Sequence, residues 1–244
     1  MTRPDATREV DAVVRWHAVV DIHTLRQAAF ERILDAAKRA INARGRFLIV
    51  LSGGNTPRGV YQMLRAADTD WSRWQIYFGD ERCVEVDDAQ RNSRMAAETW
   101  LDHVPIADDQ VHAISAERGA QQAAHDYSNT LRSVGEFDLV LLGLGEDGHT
   151  ASLFAGHDLG TEPNSPDALA VFDAPKPPPQ RVSLSAARLS RAREVVFLVD
   201  GESKRDAVTQ WRANAAIPAR AIHPQAGVDV LLTSALLMQH LPNT

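Results

Sequence analysis

Residues 143–150, GLGEDGHT, place the ionisable side chains of Glu146, Asp147 and His149 among three glycines. Imidazole titrates near neutral pH, so His149 is suited to accept a proton from a reacting group as a general base. The alternative is that His149 is structural or incidental, which is the commoner role of a lone histidine in a loop. Because it lies among glycines and beside Asp147, we interpret His149 as a catalytic candidate.

A second polar loop, residues 52–57 with the sequence SGGNTP, has the features of an anion site. Thr56 is a favourable N-cap, and Pro57 is a favourable first residue of a helix. The glycines leave backbone N–H groups open at the positive end of that helix. No Gly-Lys-Ser/Thr follows, so the loop is not a P-loop. A plain strand-to-helix turn is the alternative interpretation.

A third polar loop, residues 79–82 with the sequence GDER, carries Asp80, Glu81 and Arg82 directly after an apolar run. Charged residues that follow a buried strand at once are typical of a site at the end of a sheet. The alternative is an ordinary solvated loop.

Each of these loops follows an apolar run that predicts a buried strand, at 47–51, 75–78 and 139–142. The last run has no polar alternation, which is typical of a strand covered on both faces in a parallel sheet. An open α/β sheet carries its site beyond the carboxyl ends of its strands. We therefore expect the loops 52–57, 79–82 and 143–150 to converge at one edge of the sheet.

Strands alternate with helices along the rest of the chain, which predicts one α/β domain over residues 1–244. The expected fold is Rossmann-like, an open and mainly parallel sheet covered by helices on both faces. Residues 156–180 are rich in proline and lack periodicity, so we expect a flap or wall of the site there. Further strands are expected at 13–20, 111–114, 181–184, 195–199 and 228–232, and helices at 24–43, 56–66, from 92, and at 117–133, 200–211 and 234–240.

The glycines of residues 143–150 also match the G-x-G-x-x-G dinucleotide fingerprint. We reject that interpretation because Asp147 and His149 flank the third glycine, where a carboxylate would face the pyrophosphate. The chain after Phe154 is a Pro-rich loop, whereas the fingerprint requires a helix and a second strand.

Other reaction chemistries lack their residues in this sequence. There is no C-x-x-C or H-E-x-x-H, and the nine histidines are scattered, so we expect neither a metal nor another cofactor. Ser52 and Ser152 lie outside any G-x-S-x-G motif, and Cys83 has no evident partners for a thiol nucleophile.

Composition and charge narrow the possible partners and the compartment. The net charge of -6 argues against nucleic-acid and anionic-membrane binding, so an anionic substrate would require a local cluster of positive groups. The single cysteine excludes an internal disulfide and suits a reducing cytosol. The first residues lack an apolar signal core, and no apolar run approaches roughly 18 residues. We expect a cytoplasmic protein without a membrane span.

Four blocks together resemble the 6-phosphogluconolactonase family and, more loosely, the glucosamine-6-phosphate deaminases/isomerases. They span about residues 47–205, and the Asp-Gly-His at 147–149 belongs to the third block. The segment 155–173 and the C-terminal TSALLMQHLPNT are less typical of the family. In chain order the blocks are LSGGNTPRGVYQML, YFGDERCVEVDDAQRNSRM, FDLVLLGLGEDGHTASLF and PKPPPQRVSLSAARLSRAREVVFLVDGESKR.

The resemblance implies a reaction, the hydrolysis of 6-phospho-D-glucono-1,5-lactone to 6-phosphogluconate in the oxidative pentose phosphate pathway. It implies that His149 takes a proton from the attacking water and later helps to protonate the leaving ring oxygen, while Asp147 holds the local geometry. Arg82 would bind this small phosphorylated lactone or stabilise the developing oxyanion. The residues implied to hold the phosphate are Gly53, Gly54, Asn55, Thr56, Arg181 and Lys204.

Two other functions are possible on this sequence. At the third block the deaminases carry a sequence similar to DGHIAFNEP, with a glutamate five residues after the histidine. This chain has Phe154 at that position. They also tend to carry tyrosine in place of Arg82. A non-catalytic sugar-phosphate sensor is the second alternative, but no helix-turn-helix segment is apparent, and Asp147 with His149 would be superfluous for sensing. Both comparisons favour lactone hydrolysis.

Overall fold

The computed structural model describes residues 13–238, and all that follows concerns these residues. In chain order the strands are β1 (Val14–Val19), β2 (Phe47–Leu51), β3 (Trp74–Phe78), β4 (Asp80–Arg82), β5 (Val111–His112), β6 (Leu139–Gly143), β7 (Ala168–Val171), β8 (Arg181–Leu184), β9 (Val195–Val199) and β10 (Val228–Thr233). The α-helices are α1 (Ile22–Arg44), α2 (Asn55–Leu64), α3 (Asn92–Thr99), α4 (Ala120–Leu131), α5 (Ala186–Ser190) and α6 (Arg205–Arg212).

The main sheet has seven strands in the order β1-β10-β9-β6-β2-β3-β5, and every pair of neighbours is parallel. All five residues of β2 and of β9 are buried, because helices cover both faces of these central strands. Neighbouring parallel strands bring their carboxyl ends to the same edge. The loops after β2, β3, β6 and β9 therefore meet there, and the predicted α/β architecture is confirmed.

A smaller antiparallel sheet, in the order β4-β8-β7, lies next to the main one. The predictions of a loop at 79–82 and of an irregular segment at 156–180 were partly wrong, since strands β4 and β7 lie there. Asp80 and Glu81 pair with β8 although they are polar, because their buried carboxylates accept hydrogen bonds from distant parts of the chain. Residues 168–171 form a strand because β8 supplies a partner for them.

Helix α1 extends slightly beyond the predicted range 24–43 at both ends, and each end is capped. The Asp21 carboxylate accepts a hydrogen bond from the Thr24 N–H at 2.8 Å, and Gly45 ends the helix with φ at 74°. For α2 the predicted cap was wrong, since the N-cap is Gly54, at a φ of 109°, and not Thr56. This left-handed glycine turns the chain earlier, so Thr56 lies within the first helical turn.

Three further boundaries differ from the predictions. Gly119, with φ at 87°, separates α4 from a 3₁₀ turn at Ala116–Arg118, so the helix expected over 117–133 is shorter. The strand expected at 111–114 is only β5. The helix expected over 234–240 is a 3₁₀ turn, Ser234–Leu237, and its last two positions lie outside the described residues.

The five tryptophans form two groups, which lie towards opposite ends of the strand order of the main sheet. Trp71, Trp74 and Trp100 lie with ring centroids 4.7–5.8 Å apart, beside β3. Trp16 of β1 meets Trp211 of α6 at a centroid distance of 5.4 Å. The two groups therefore pack against different ends of the strand order.

The edge strand β1 is tied to β10 by a buried carboxylate. Asp229 accepts hydrogen bonds from Arg15 Nε at 2.8 Å, from His17 Nε2 at 2.7 Å and from Arg32 of α1. Burial raises the pKa of Asp229, but these hydrogen bonds and charges outweigh it and lower the pKa to about 2. One carboxylate thus joins two strands and a helix.

Within residues 13–238, none of the helices combines the length and apolar character that crossing a membrane requires.

Candidate active site

The three polar loops predicted from the sequence do converge, and Asp80 joins them. Its carboxylate accepts hydrogen bonds from Ser152 Oγ at 2.6 Å and from Asn92 Nδ2 at 2.9 Å. The Asn92 side chain also presses against Gly53, where a Cβ atom would lie 2.0 Å from Asn92 Oδ1. Only glycine fits at position 53. The loop after β2, strand β4 and the chain after His149 are therefore held as one unit.

His149 is oriented by Asp147. Its Nδ1 atom hydrogen bonds to Asp147 Oδ1, and the backbone N–H of His149 donates to the same oxygen. An ionised carboxylate only accepts hydrogen bonds, so Nδ1 carries the proton and Nε2 keeps its lone pair. The imidazole therefore has an unprotonated nitrogen with which to accept a proton, as a general base requires.

The imidazole of His149 lies directly on the backbone of Gly145. A Cβ atom at position 145 would lie 1.9 Å from His149 Nδ1, so no side chain is tolerated there. The Gly145 N–H donates to the carbonyl of His149 at 2.7 Å, and Thr150 Oγ1 donates to the carbonyl of Gly143 at 2.9 Å. Glycines in this segment therefore make room for a histidine rather than for a pyrophosphate.

Phe154 covers the other side of His149, with the two ring centroids 4.7 Å apart. The His149 side chain is only 17% exposed. This burial lowers the pKa of His149, the hydrogen bond and charge of Asp147 raise it, and the balance lies below the ordinary value of 6.5. Burial also raises the pKa of Asp147, but its contacts with His149 bring it below 3.8. At neutral pH the pair is a carboxylate and a neutral imidazole.

The start of α2 forms a candidate cradle for an anion. The backbone N–H groups of Asn55 and Thr56 lie in the first helical turn and have no acceptor within the helix. The Tyr61 hydroxyl fixes Ser52, at the start of this loop. It accepts a hydrogen bond from Ser52 N at 3.0 Å and donates one to Ser52 O at 2.9 Å. Backbone donors and the helix dipole both favour a negative group at this position.

Lys204 reaches the site from the 3₁₀ turn Glu202–Lys204, directly after β9. Burial lowers its pKa, the charges of Glu146 and Asp147 raise it, and Lys176 lowers it. Lys176 comes from the Pro-rich segment, and its Nζ lies 3.6 Å from Glu146 Oε2. Lys176 was not among the predicted site residues, although it lies in the sequence PKPPP, inside the predicted flap.

Arg181 and Arg82 are register partners in the small sheet, but their guanidinium groups differ in surroundings. Arg181 is buried and donates to the carbonyls of Lys176, Pro177 and Pro178 at 2.9, 3.2 and 3.1 Å. Its Nη1 also approaches Ser152 Oγ at 3.4 Å. Arg181, predicted to bind phosphate, thus uses most of its donors to hold the Pro-rich segment.

Arg82 Nη1 donates to the carbonyl of Gln90 at 2.6 Å, while its buried Nε has no hydrogen-bond partner among the described residues. A buried donor without a partner is costly, which makes Arg82 Nε a candidate donor to a ligand. Asp80 belongs to the predicted polar loop 79–82, whereas Asn92, Ser152 and Lys176 are functional candidates that were not predicted. Only their membership of the matching blocks could have indicated them.

Within residues 13–238, no three His, Cys, Asp or Glu side chains are grouped so that they could hold a metal ion. The groups described at the candidate site are a histidine–carboxylate pair, a candidate anion cradle and several cationic side chains from separate loops.

Comparison with known proteins identifies relatives of the chain. Residues 21–231 match the family described as glucosamine-6-phosphate isomerases/6-phosphogluconolactonase. A 6-phosphogluconolactonase of Synechocystis is 38% identical over 87% of this chain and 94% of that protein. A 6-phosphogluconolactonase of Mycobacterium leprae is 36% identical over 89% and 92%. The resemblance predicted from the sequence is confirmed.

Solved structures share the fold. A 6-phosphogluconolactonase of Thermotoga maritima superposes with a TM-score of 0.83 at 26% identity, over 91% of this chain and 100% of that chain. The enzyme of Trypanosoma brucei gives 0.83 at 27% identity, over 92% and 98%. A monomeric glucosamine-6-phosphate deaminase gives 0.74 at 20% identity, over 91% and 98%, which is a likeness of fold alone.

Proposed function

Because the chain belongs to the glucosamine-6-phosphate isomerase/6-phosphogluconolactonase family, we propose that it hydrolyses 6-phospho-D-glucono-1,5-lactone to 6-phospho-D-gluconate. This is a step of the oxidative pentose phosphate pathway. The observation that carries the proposal is the His149–Asp147 pair, in which Asp147 fixes Nδ1 and leaves Nε2 to act as a base. Named relatives at 36–38% identity support the choice of substrate.

In the proposed reaction, Nε2 of His149 takes a proton from a water molecule as its oxygen attacks the lactone carbonyl. A tetrahedral oxyanion forms. Its collapse breaks the bond between the carbonyl carbon and the ring oxygen, and the imidazolium returns its proton to that leaving oxygen. Water is consumed, one carboxylic acid and one hydroxyl are formed, and no cofactor is required. Asp147 stabilises the imidazolium and keeps the ring oriented.

The phosphate would be held away from the reacting carbon. Backbone groups of the cradle and the ammonium of Lys204 supply donors and positive charge at the sheet edge. Arg181, also assigned to the phosphate by the resemblance, lies in β8 and supports the same region by holding the Pro-rich segment. The cradle residues are Gly53, Gly54, Asn55 and Thr56.

Arg82 has two possible tasks in this scheme, to bind the substrate or to stabilise the oxyanion. Its buried Nε, which lacks a partner among the described residues, could donate to either. The oxyanion is the more demanding ligand, since a donor aimed at developing charge lowers the barrier rather than only the KM.

The rival reaction, deamination and isomerisation of glucosamine 6-phosphate, is less consistent with this site. Phe154 occupies the position at which the deaminases carry a glutamate, and it is buried against the His149 ring. A phenyl ring cannot transfer the additional proton that ring opening requires. A sensor without catalysis would leave the oriented imidazole without a task.

A lactonase assay on freshly generated 6-phosphogluconolactone tests the proposal, with spontaneous hydrolysis measured in parallel and subtracted. The same preparation is given glucosamine 6-phosphate. We expect rapid acid release from the lactone and no ammonia or fructose 6-phosphate from the amino sugar. The opposite result would transfer the chain to the deaminase function.

A further inference from the structure

Lysine is scarce in this chain, and its placement is uneven. Of the 26 basic residues counted as Lys and Arg, only Lys38, Lys176 and Lys204 are lysines. Lys38 is exposed on α1, whereas Lys176 and Lys204 both lie at the site. Two ammonium groups that approach one another repel, and the charge of Lys176 contributes to lowering the pKa of Lys204. Such a pair is suited to a ligand with more than one negative charge.

The carboxylate of Glu146 lies beside Lys176 and is also influenced by the charge of Lys204. The Ser203 hydroxyl and the charges of Lys176 and Lys204 lower the pKa of Glu146. Its Oε2 atom is 3.6 Å from Lys176 Nζ. This carboxylate is thus influenced by one hydroxyl and two ammonium groups. A phosphate monoester would use donors of the same kinds.

Glu146 is held loosely enough to be exchanged. Its side chain is 53% exposed, and that of Lys176 is 44% exposed. Exposed ion pairs contribute little to stability because solvent screens them. A dianionic phosphate offers more charge and more acceptor oxygens than a carboxylate, and would therefore compete well for the same donors.

The Pro-rich segment, by contrast, is firmly anchored. The buried Arg181 guanidinium bonds to three successive carbonyls of residues 176–178. The segment is also joined to its surroundings by hydrogen bonds from Ala174 N to Pro179 O and from Cys83 N to Gln180 O, both at 3.0 Å. The backbone of Lys176 is thus fixed next to Glu146, while its ammonium group remains accessible to a ligand.

We propose that Lys176 and Ser203 join Lys204 as ligands of the substrate's phosphate, and that Glu146 is an internal competitor which the phosphate displaces. This inference rests on the proposed function and adds residues to the same site. Glu146 then has a cost for binding and a benefit for the free enzyme, since it neutralises the lysine pair and excludes weaker anions. Arg181 acts as a positioning residue that holds Lys176 in place.

Opposite effects are expected from the two sides of this contact. Lys176→Gln removes a charge-assisted hydrogen bond and should weaken binding of inorganic phosphate and of 6-phosphogluconate about 10- to 100-fold. Glu146→Gln removes the competitor and should tighten binding by about two- to fivefold, the range of an exposed ion pair. Ser203→Ala should weaken binding by roughly two- to tenfold, as for a neutral hydrogen bond. Lys38→Gln and Glu31→Gln, which change the same charges on α1, serve as controls without effect.

The scarcity of lysine makes a direct observation possible. Protein labelled with ¹³C at lysine Cε gives one NMR signal from each of the three lysines, and the Lys→Gln variants assign them. During titration with inorganic phosphate, then with 6-phosphogluconate, we expect the signals of Lys176 and Lys204 to shift with the same saturation curve. The Lys38 signal should stay unchanged, and Glu146→Gln should saturate at a lower concentration.

The inference is overturned if Lys176 does not respond at concentrations that saturate the Lys204 signal, or if Glu146→Gln binds no more tightly than the wild type. The lactonase assay on the same samples separates this result from the proposed function. Turnover with an unresponsive Lys176 rejects the phosphate ligand alone. A shift of both lysines without turnover rejects the lactonase reaction and leaves the anion site standing.

Discussion

At the scale of single residues, the chemistry depends on what surrounds one imidazole. Asp147 fixes the proton on Nδ1, Gly145 provides the space beneath the ring, and Phe154 limits its solvation. Burial favours the neutral form of His149, while the carboxylate favours the charged form that arises after proton transfer. The pair is therefore prepared for both halves of the proposed reaction.

Replacement of His149 tests the general base. His149→Asn keeps much of the shape but removes the titrating nitrogen, so kcat should fall by about 10²–10⁴-fold with binding of 6-phosphogluconate retained. The base is active when neutral, and its pKa lies below 6.5, so the wild-type rate should fall only as pH drops below that value. A pH profile of kcat/KM measures both effects. A variant that keeps this acid limb would assign the base to another group, such as Asp80, Glu81 or Asp147.

Two glycines of the same loop give a matched pair of variants. In Gly145→Ala the new methyl group would lie 1.9 Å from His149 Nδ1, so the ring must leave Asp147. We expect kcat to fall at least about tenfold, since a displaced base transfers protons poorly. At Gly143 a Cβ atom meets nothing within 4 Å, so Gly143→Ala should retain activity. Equal kcat values in the two variants would show that the position of the ring is unimportant.

Sequence reasoning went far at this scale for groups that stand inside recognisable motifs. His149 and Asp147 were identified from their glycine-rich surroundings, and their hydrogen bond was then found in the structure. Asp80 and Ser152 bond to each other across 72 positions of the chain, and nothing in their local sequence indicates a partner. Lys176 escaped notice because its role depends on where Arg181 holds its backbone.

At the scale of secondary-structure elements, apolar strands were predictable and polar strands were not. β2 and β9 are continuous apolar runs because both of their faces are covered. β4 consists of charged residues, and its carboxylates can be buried because groups such as those of Asn92 and Ser152 satisfy them. β7 has no distinctive pattern and becomes a strand through its pairing with β8. Tertiary contacts therefore decide the elements that local sequence leaves open.

At the level of the Pro-rich segment, one prediction distinguishes the role of Arg181 from that of Lys204. Lys204→Gln should raise KM about 10- to 100-fold through loss of a charge-assisted hydrogen bond. Arg181→Gln should raise KM by a similar factor, because Lys176 is no longer held in place. Only Arg181→Gln should also release the carbonyls of residues 176–178. Amide hydrogen exchange at Ala174, whose N–H bonds to Pro179 O, should then become faster in that variant alone. Unchanged exchange in Arg181→Gln would mean that the segment is held by other contacts.

At the scale of the whole molecule, the parallel order of the sheet explains why residues from 53 to 204 form one site. β9, β6, β2 and β3 are consecutive neighbours, so the loops after them share one edge although they are far apart in sequence. The outer strands β1 and β10 contribute no site residue that we identify. Their attachment through Asp229 contributes to the stability of the whole fold.

That attachment predicts how stability responds to acid. The folded pKa of Asp229 is about 2, against an ordinary value of 3.8, so its contribution is present above 3.8 and is lost as pH falls towards 2. The difference corresponds to roughly 2 kcal/mol. Asp229→Asn should lower the free energy of unfolding by about that amount at neutral pH and flatten its decline between pH 4 and 2. Urea unfolding at several pH values measures this, and parallel curves for the two proteins would contradict it.

The two tryptophan groups make intrinsic fluorescence a probe of unfolding at two places in the fold. Trp16 and Trp211 report on the β1 end of the sheet, while Trp71, Trp74 and Trp100 report on the β3 end, so intrinsic fluorescence samples both ends at once. If the chain unfolds as a single cooperative unit, emission and far-ultraviolet circular dichroism will give superimposable denaturation curves. Phenylalanine in place of Trp16 and Trp211 leaves only the β3-end signal, and its midpoint should equal that from circular dichroism. Midpoints that differ would reveal two parts of the sheet that melt separately.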